Sequence, residues 1–283
     1  MMATPAGPLV IQAGAGRPLL GLRDLWSYRE LLYFLVWRDV KVRYKQTLLG
    51  AAWAILQPLL TAFVFTLFFG RLAGIPSEGL PYPLFAYAGL LAWTFFAQAL
   101  TQSSASLVGS ANLITKVYFP RLVIPLSPVL AGLVDLAVAL PVLGGFLLWY
   151  RHQPGAALLA FPLFLLLALI TAAGVGMWLA ALNVEYRDVR YVVPFLVQLW
   201  LFITPVIYPS SVVARQLERL GLPGWLVGLN PMAGVVEGFR WSLLGAPRLA
   251  PGLLGASVAA SAIIALTGIM YFRHVERSFA DVV

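Results

Sequence analysis

The chain has 283 residues, 61% of them hydrophobic and 11% charged, with a formal net charge of +8 and no cysteine. Soluble domains average about 25% charged residues, so this is the composition of a membrane protein, and the missing cysteines exclude disulfides, iron–sulfur clusters and thiol catalysis. The positive charge gathers beside apolar segments, where anionic lipid headgroups are a more economical partner than nucleic acid.

Residues 1–23 are rich in Ala, Gly and Pro and carry no Lys or Arg before Arg17. A secretory signal needs a basic start and an apolar region of about 7–15 residues. The stretch is therefore expected to be a flexible cytoplasmic tail. In residues 24–47, Ser27, Glu30, Arg38, Lys41 and Lys45 recur at helical spacing, with Trp26 and Trp37 beside them. The continuous apolar run, Leu31 to Trp37, is far too short to span. The pattern predicts an amphipathic helix lying in the membrane interface; the alternative is a helix packed on a partner. Residues 48–283 are expected to form a transmembrane domain.

A span needs about 20 mostly apolar residues. The candidates are Leu48 to Phe69, Pro83 to Leu100, Leu122 to Tyr150, Ala157 to Leu182, a stretch within Asn183 to Pro209, and Leu253 to Phe272. Pro125, Pro128 and Pro141 predict a bent third span; Gly174 and Gly176 predict close helix approach in the fourth. The fifth is bracketed by Pro194 and Pro205, breaks that membranes tolerate where neighbours satisfy the freed backbone groups. Between spans 5 and 6, apolar runs Trp225 to Leu229 and Met232 to Leu244 flank Asn230-Pro231. That pattern predicts a re-entrant helical hairpin. The expected fold is all-α: six transmembrane helices, the N-terminal interface helix and this hairpin. Seven Arg and Lys precede span 1, so the positive-inside rule places both termini in the cytoplasm. Tyr82, Tyr87, Trp93, Trp149, Tyr208 and Trp225 fit an interfacial aromatic belt.

No lysine follows a glycine, so no phosphate-binding loop of the Walker type is present; HExxH and GxSxG are absent as well. Asp135 is the only ionisable residue deep inside an expected span. It is a channel-lining contact, a proton-coupling site or a structural carboxylate bonded to a neighbouring helix. In the connection between spans 2 and 3, Leu113, Ile114, Val117, Tyr118 and Phe119 need a cover outside the bilayer, with Lys116 and Arg121 at the rim. Trp53 with Gln57, and Gln198 with Phe202, are i, i+4 pairs on one helical face, and Glu237 and Arg240 are i, i+3 neighbours. Arg38, Lys41, Arg43 and Lys45 suit phosphate, whether of a phospholipid or another lipid.

Three stretches carry a family resemblance: Val42 to Leu59 (VRYKQTLLGAAWAILQPL), NVEYRD at Asn183 to Asp188 with Pro194, Gln198 and TPVIYP at Thr204 to Pro209, and Leu229 to Gly245 (LNPMAGVVEGFRWSLLG). Together they resemble the membrane subunits of ABC type-2 exporters, above all those exporting O-antigen or teichoic-acid polysaccharides, over roughly residues 25–275. The resemblance implies a homodimeric permease with two ATP-binding subunits that hold the ATP and Mg, in the bacterial cytoplasmic (inner) membrane. It implies no cofactor in this chain. It implies that Asn112, Leu113, Ile114, Lys116, Val117, Tyr118 and Arg121 form a coupling helix docking on the ATPase, beside Glu185, Arg187 and Asp188. Spans 1 and 5 would line the path, with Trp53, Gln57, Gln198, Phe202 and Asp135 as candidate contacts. Asn230, Pro231, Glu237 and Arg240 would belong to an external gate, and Arg38, Lys41, Arg43 and Lys45 would meet a lipid-linked pyrophosphate. A small-molecule or drug exporter is the alternative within the class. A membrane enzyme on lipid-linked sugars would want clustered acids or a metal site, and a secondary transporter more intramembrane charge and internal repeats.

Overall fold

One helix organises the bundle. In the computed structural model, which describes residues 22–45, 52–186, 188–246, 250–276 and 279, α4 (Tyr82–Gly109) is buried along most of its length. It packs against α3 (Ala52–Phe65), α6 (Val123–Trp149), α7 (Phe161–Glu185), α8 (Val189–Ile203) and α10 (Pro231–Leu244). Its sequence explains this position: Ala86, Ala88, Gly89 and Ala92 admit neighbours closely, while Phe85, Tyr87, Trp93 and Phe96 fill the space between them. Tyr82, Tyr87 and Trp93 are therefore not belt residues. Tyr87 is fully buried and donates to the Ala139 carbonyl at 3.0 Å, and Tyr82 donates to that of Ile207 at 2.8 Å. A helix surrounded on all sides holds its phenols where carbonyls, rather than headgroups, satisfy them. Trp149 and Trp225 are exposed.

Among the described residues the chain is helical, with no strand. Five helical stretches among the described residues are long and apolar enough to cross a membrane: Ala52–Leu72, Tyr82–Gly109, Val123–Trp149, Ala156–Glu185 and Pro251–Val275, the last being α11. The first ends in a π-helical stretch, Thr66–Leu72. The expected fifth span is shorter than the others. α8 has 15 residues, which rise about 22 Å against a hydrocarbon core of about 30 Å. It stops where Thr204 bonds back to the Trp200 carbonyl at 2.8 Å and Pro205 has no N–H to continue the ladder. The bundle thus has five to six apolar membrane helices. α9 (Ser210–Arg219) and a 3-10 turn, Gly224–Leu229, lead into α10.

α10 is capped as its sequence dictates. Asn230 accepts from the Met232 N–H at 3.2 Å, Pro231 occupies the first turn, and Gly245 closes the helix at φ 63°. These are the residues that helix ends prefer. Every residue of α10 except Trp241 is buried.

A second core lies at the other end of the bundle. There α1 (Leu22–Ser27), α2 (Arg29–Tyr44), α5 (Ala111–Lys116), the start of α6 and the ends of α7 and α11 meet around Leu107, Ile114, Phe119, Phe272 and Phe279. The interface helix expected over residues 24–47 is α1 and α2 in its described part. It does not stand apart from the bundle: α2 packs along α6 with Leu35 buried. Residues 46 and 47 lie outside the described residues.

α7 and α11 approach through glycines. A Cβ at Gly174 would sit 2.7 Å from the Ala265 Cα, whereas one at Gly144 would meet nothing within 4 Å. Overpacking a tight contact costs about 1–3 kcal/mol. Gly174→Leu is expected to lower the apparent Tm in detergent thermal-shift measurements, with Gly144→Leu unchanged.

Candidate docking and translocation surfaces

The connection from α4 to α6 divides into a buried and an exposed side. Ile114 and Phe119 are 6% exposed and anchor it to the second core, while Leu113 is half-buried. The apolar residues left outside are Val117 and Tyr118, at 51% and 75% exposure, flanked by exposed Asn112 and Lys116. The cover that Ile114 and Phe119 require thus comes from the chain itself. Arg121 turns away from the exposed side: it donates to the Glu276 carbonyl and lies 5.9 Å from the Phe279 ring centroid. Glu185 and Asp188 are exposed where α7 gives way to α8, and Glu185 accepts from the Tyr271 hydroxyl at 2.6 Å. Arg187 lies outside the described residues.

Asp135 is not alone. Arg43 forms an ion pair with it and Tyr44 donates to its other oxygen, both from α2. Arg43 also donates to Gln102 of α4. One turn earlier Asp39 accepts from Ser127 of α6 at 2.7 Å and pairs with Arg38 at 2.9 Å. Burial lowers the Arg43 pKa from its ordinary value, and Asp39 opposes that shift. Of the four candidate phosphate contacts, Arg43 is therefore turned inward and Arg38 is paired, whereas Lys41 and Lys45 are exposed. With Val40 and Tyr44 these two lysines line a shallow apolar pocket. Sequence reasoning missed Asp39, Tyr44 and Gln102. The i, i+4 spacing of Asp39 and Arg43 was the available signal that α2 turns a charged edge towards a partner.

Trp53 and Phe202 are each 52% exposed, and Gln57 and Gln198 are exposed too. α3 packs on α4 and α6, and α8 on α4 and α7, so each pair stands on an outward face and one copy does not bring the two together. The outward faces are strongly apolar, with Phe63, Leu67 and Phe68 following α3 and Phe195, Leu199 and Ile203 on α8.

Glu237 and Arg240 are buried and 3.4 Å apart. Arg240 also donates to the carbonyls of Phe85 (3.2 Å), Pro205 (2.7 Å) and Val206 (2.6 Å), and Glu237 accepts from the Ser210 N–H at 2.6 Å. The side chains thus satisfy the backbone freed where α8 stops and α9 starts. Asn230 accepts from Trp200 at 3.1 Å and donates to Thr204 at 3.0 Å, fastening the same corner. Among the described residues no cluster of His, Asp and Glu is placed to hold a metal.

The profile of the ABC-2 type transporter family matches residues 30–244, from α2 to the end of α10. The chain belongs to the ABC-2 type transporter membrane family. Individual members are similar over most of their length. An O-antigen export system permease protein RfbA of Myxococcus xanthus is 32% identical over 220 residues, 77% of this chain and 82% of that protein. A Klebsiella pneumoniae protein of the same name is 28% identical over 254 residues, covering 89% and 95%. The polysialic acid transport protein KpsM of Escherichia coli is 23% identical over 240 residues, covering 83% and 87%. In this ABC-2 chain the matched region contains the α4–α6 connection, the inward-turned Arg43 and the buried Arg240 together.

Proposed function

We propose that this chain is the permease subunit of an ATP-driven exporter of a lipid-linked polysaccharide, of O-antigen or teichoic-acid type. It would work in the bacterial inner membrane with both termini in the cytoplasm. The observation that carries the reading is the exposed Val117–Tyr118 pair on a segment outside the apolar helices, held from behind by Ile114 and Phe119. An apolar pair so anchored suits docking on a soluble subunit. That subunit binds ATP and Mg, and Lys116, Glu185 and Asp188 rim the contact.

Two copies complete the path. The outward faces of α3 and α8, with Trp53, Gln57, Gln198 and Phe202, then meet their counterparts and present aromatic rings to sugar rings. Asp135, tied to α2, supports the wall rather than touching polymer. The Asn230–Arg240 block closes the far end by holding the α8–α9 corner, and Lys41 and Lys45 receive the lipid-linked pyrophosphate. The polysaccharide class is supported by the names of the similar permeases.

The test is purification of the tagged chain from its native membrane, followed by reconstitution. A co-purifying subunit with a Walker motif is expected, with hydrolysis stimulated by lipid-linked polysaccharide. Trp53→Ala with Phe202→Ala should lower polymer export and leave basal hydrolysis unchanged. Stimulation by small amphipathic drugs and not by polymer would instead make the chain a small-molecule exporter.

A further inference from the structure

Arg43 joins three helices. Its Nη1 meets the Oδ2 of Asp135 on α6, and its Nη2 donates to the Oε1 of Gln102 on α4. The Tyr44 hydroxyl takes the Oδ1 of Asp135, so both carboxylate oxygens are engaged from α2. Asp39 and Ser127 add a second tie between α2 and α6 at 2.7 Å. α4 and α6 are the two stems of the connection that carries Val117 and Tyr118. At about 1.5 Å per residue, Gln102 lies about 10 Å from the end of α4 and Asp135 about 18 Å from the start of α6. The tie therefore crosses both stems well inside the bundle. A guanidinium can do this because its donors sit on separate nitrogens of a rigid planar fork, whereas the three donors of an ammonium radiate from one atom.

We propose that Arg43 is a positioning residue that makes α2 a rigid part of the α4–α5–α6 unit. A displacement imposed on the connection is thereby carried to Lys41 and Lys45, so the cations that meet the lipid-linked substrate move with the ATPase contact. This transmission rests on the docking reading of Val117 and Tyr118. The rigidity of the unit does not. A buried pair that only stabilised the fold would change yield and melting but not the stoichiometry of export to hydrolysis.

The chain has no cysteine, so spin labels are placed cleanly at Tyr33 of α2, Val134 of α6 and Val192 of α8, all exposed. Distances are measured in the full complex in nanodiscs, without nucleotide and trapped with ATP and vanadate. Helix shifts in such transitions are commonly 1–2 Å or more. The Tyr33–Val134 distance is expected to stay within about 1 Å while Tyr33–Val192 changes. Arg43→Gln, and Asp135→Asn should the first fail to assemble, are expected to let Tyr33–Val134 vary with nucleotide. The same variants should lower polymer exported per ATP hydrolysed by about fivefold or more, within the range of coupling effects. A nucleotide-dependent Tyr33–Val134 distance in the native chain would overturn the proposal, as would an unchanged export ratio in both variants. A cysteine at Tyr118 that forms no cross-link to the ATP-binding subunit would remove the docking reading. It would thereby overturn the transmission to Lys41 and Lys45, while the Tyr33–Val134 result judges the rigid unit separately.

Discussion

Arg240→Ala is expected to abolish recovery of folded protein. The side chain has no measurable exposure, it donates to three carbonyls of two separate segments, and its guanidinium carbon lies 3.5 Å from the centroid of the Phe85 ring. Alanine would leave Glu237 buried with only the Ser210 N–H, and would strand the carbonyls of Pro205 and Val206 where α8 has already stopped. Removing one partner of a buried pair costs about 3–5 kcal/mol. Domain stabilities are about 5–15 kcal/mol, so this single loss consumes a large share. Lysine is expected to fail almost as badly, because one ammonium cannot serve Phe85, Pro205 and Val206 together. Glu237→Gln should be milder, since the amide oxygen still accepts from Ser210. The measurement is fluorescence-detected size exclusion with a thermal ramp. A native profile for Arg240→Ala would show that the α8–α9 corner is held by something else.

The double substitution Val117→Asp with Tyr118→Asp should have the largest effect on assembly with little effect on the permease itself. Both residues are exposed, and the anchors Ile114 and Phe119 are untouched. Interface anchors commonly cost about 2 kcal/mol or more when removed, and two of them correspond to roughly a thousandfold in affinity. The variant is expected to insert and elute as native, to lose the co-purifying ATP-binding subunit and to support no export. Phe119→Asp offers the contrast: it buries a charge in the second core and should reduce folded protein as well. Retention of a stoichiometric partner by the double variant would move the docking site elsewhere.

Much of this was legible in the chain. Apolar runs of sufficient length mark the spans because lipid demands that backbone groups be satisfied within each helix. Pro231 in the first turn of α10 and the break at Pro205 are local chemistry, and local chemistry survives in a linear reading. So does the exposure of Lys41 and Lys45 on a short basic helix.

Partners across the chain were not legible. Asp135 reads as a solitary acid until α2 lies along α6 and delivers Arg43 and Tyr44 from more than ninety residues away. Tyr82, Tyr87 and Trp93 read as belt residues because they sit near the ends of an expected span. A helix buried on every side has no stripe to reveal which face meets which neighbour. Within Asn112 to Arg121, hydropathy alone does not separate Ile114 and Phe119, which fold inward, from Val117 and Tyr118, which do not. Sequence alone therefore determined the membrane class, the helix ends at Pro205 and Pro231 and the family, whereas Pro194, expected to bracket the fifth span, lies inside α8. Only the tertiary structure decided which charges are paired inside and which apolar residues stay exposed. Those outcomes depend on the energy of contacts between distant segments, which no local pattern encodes.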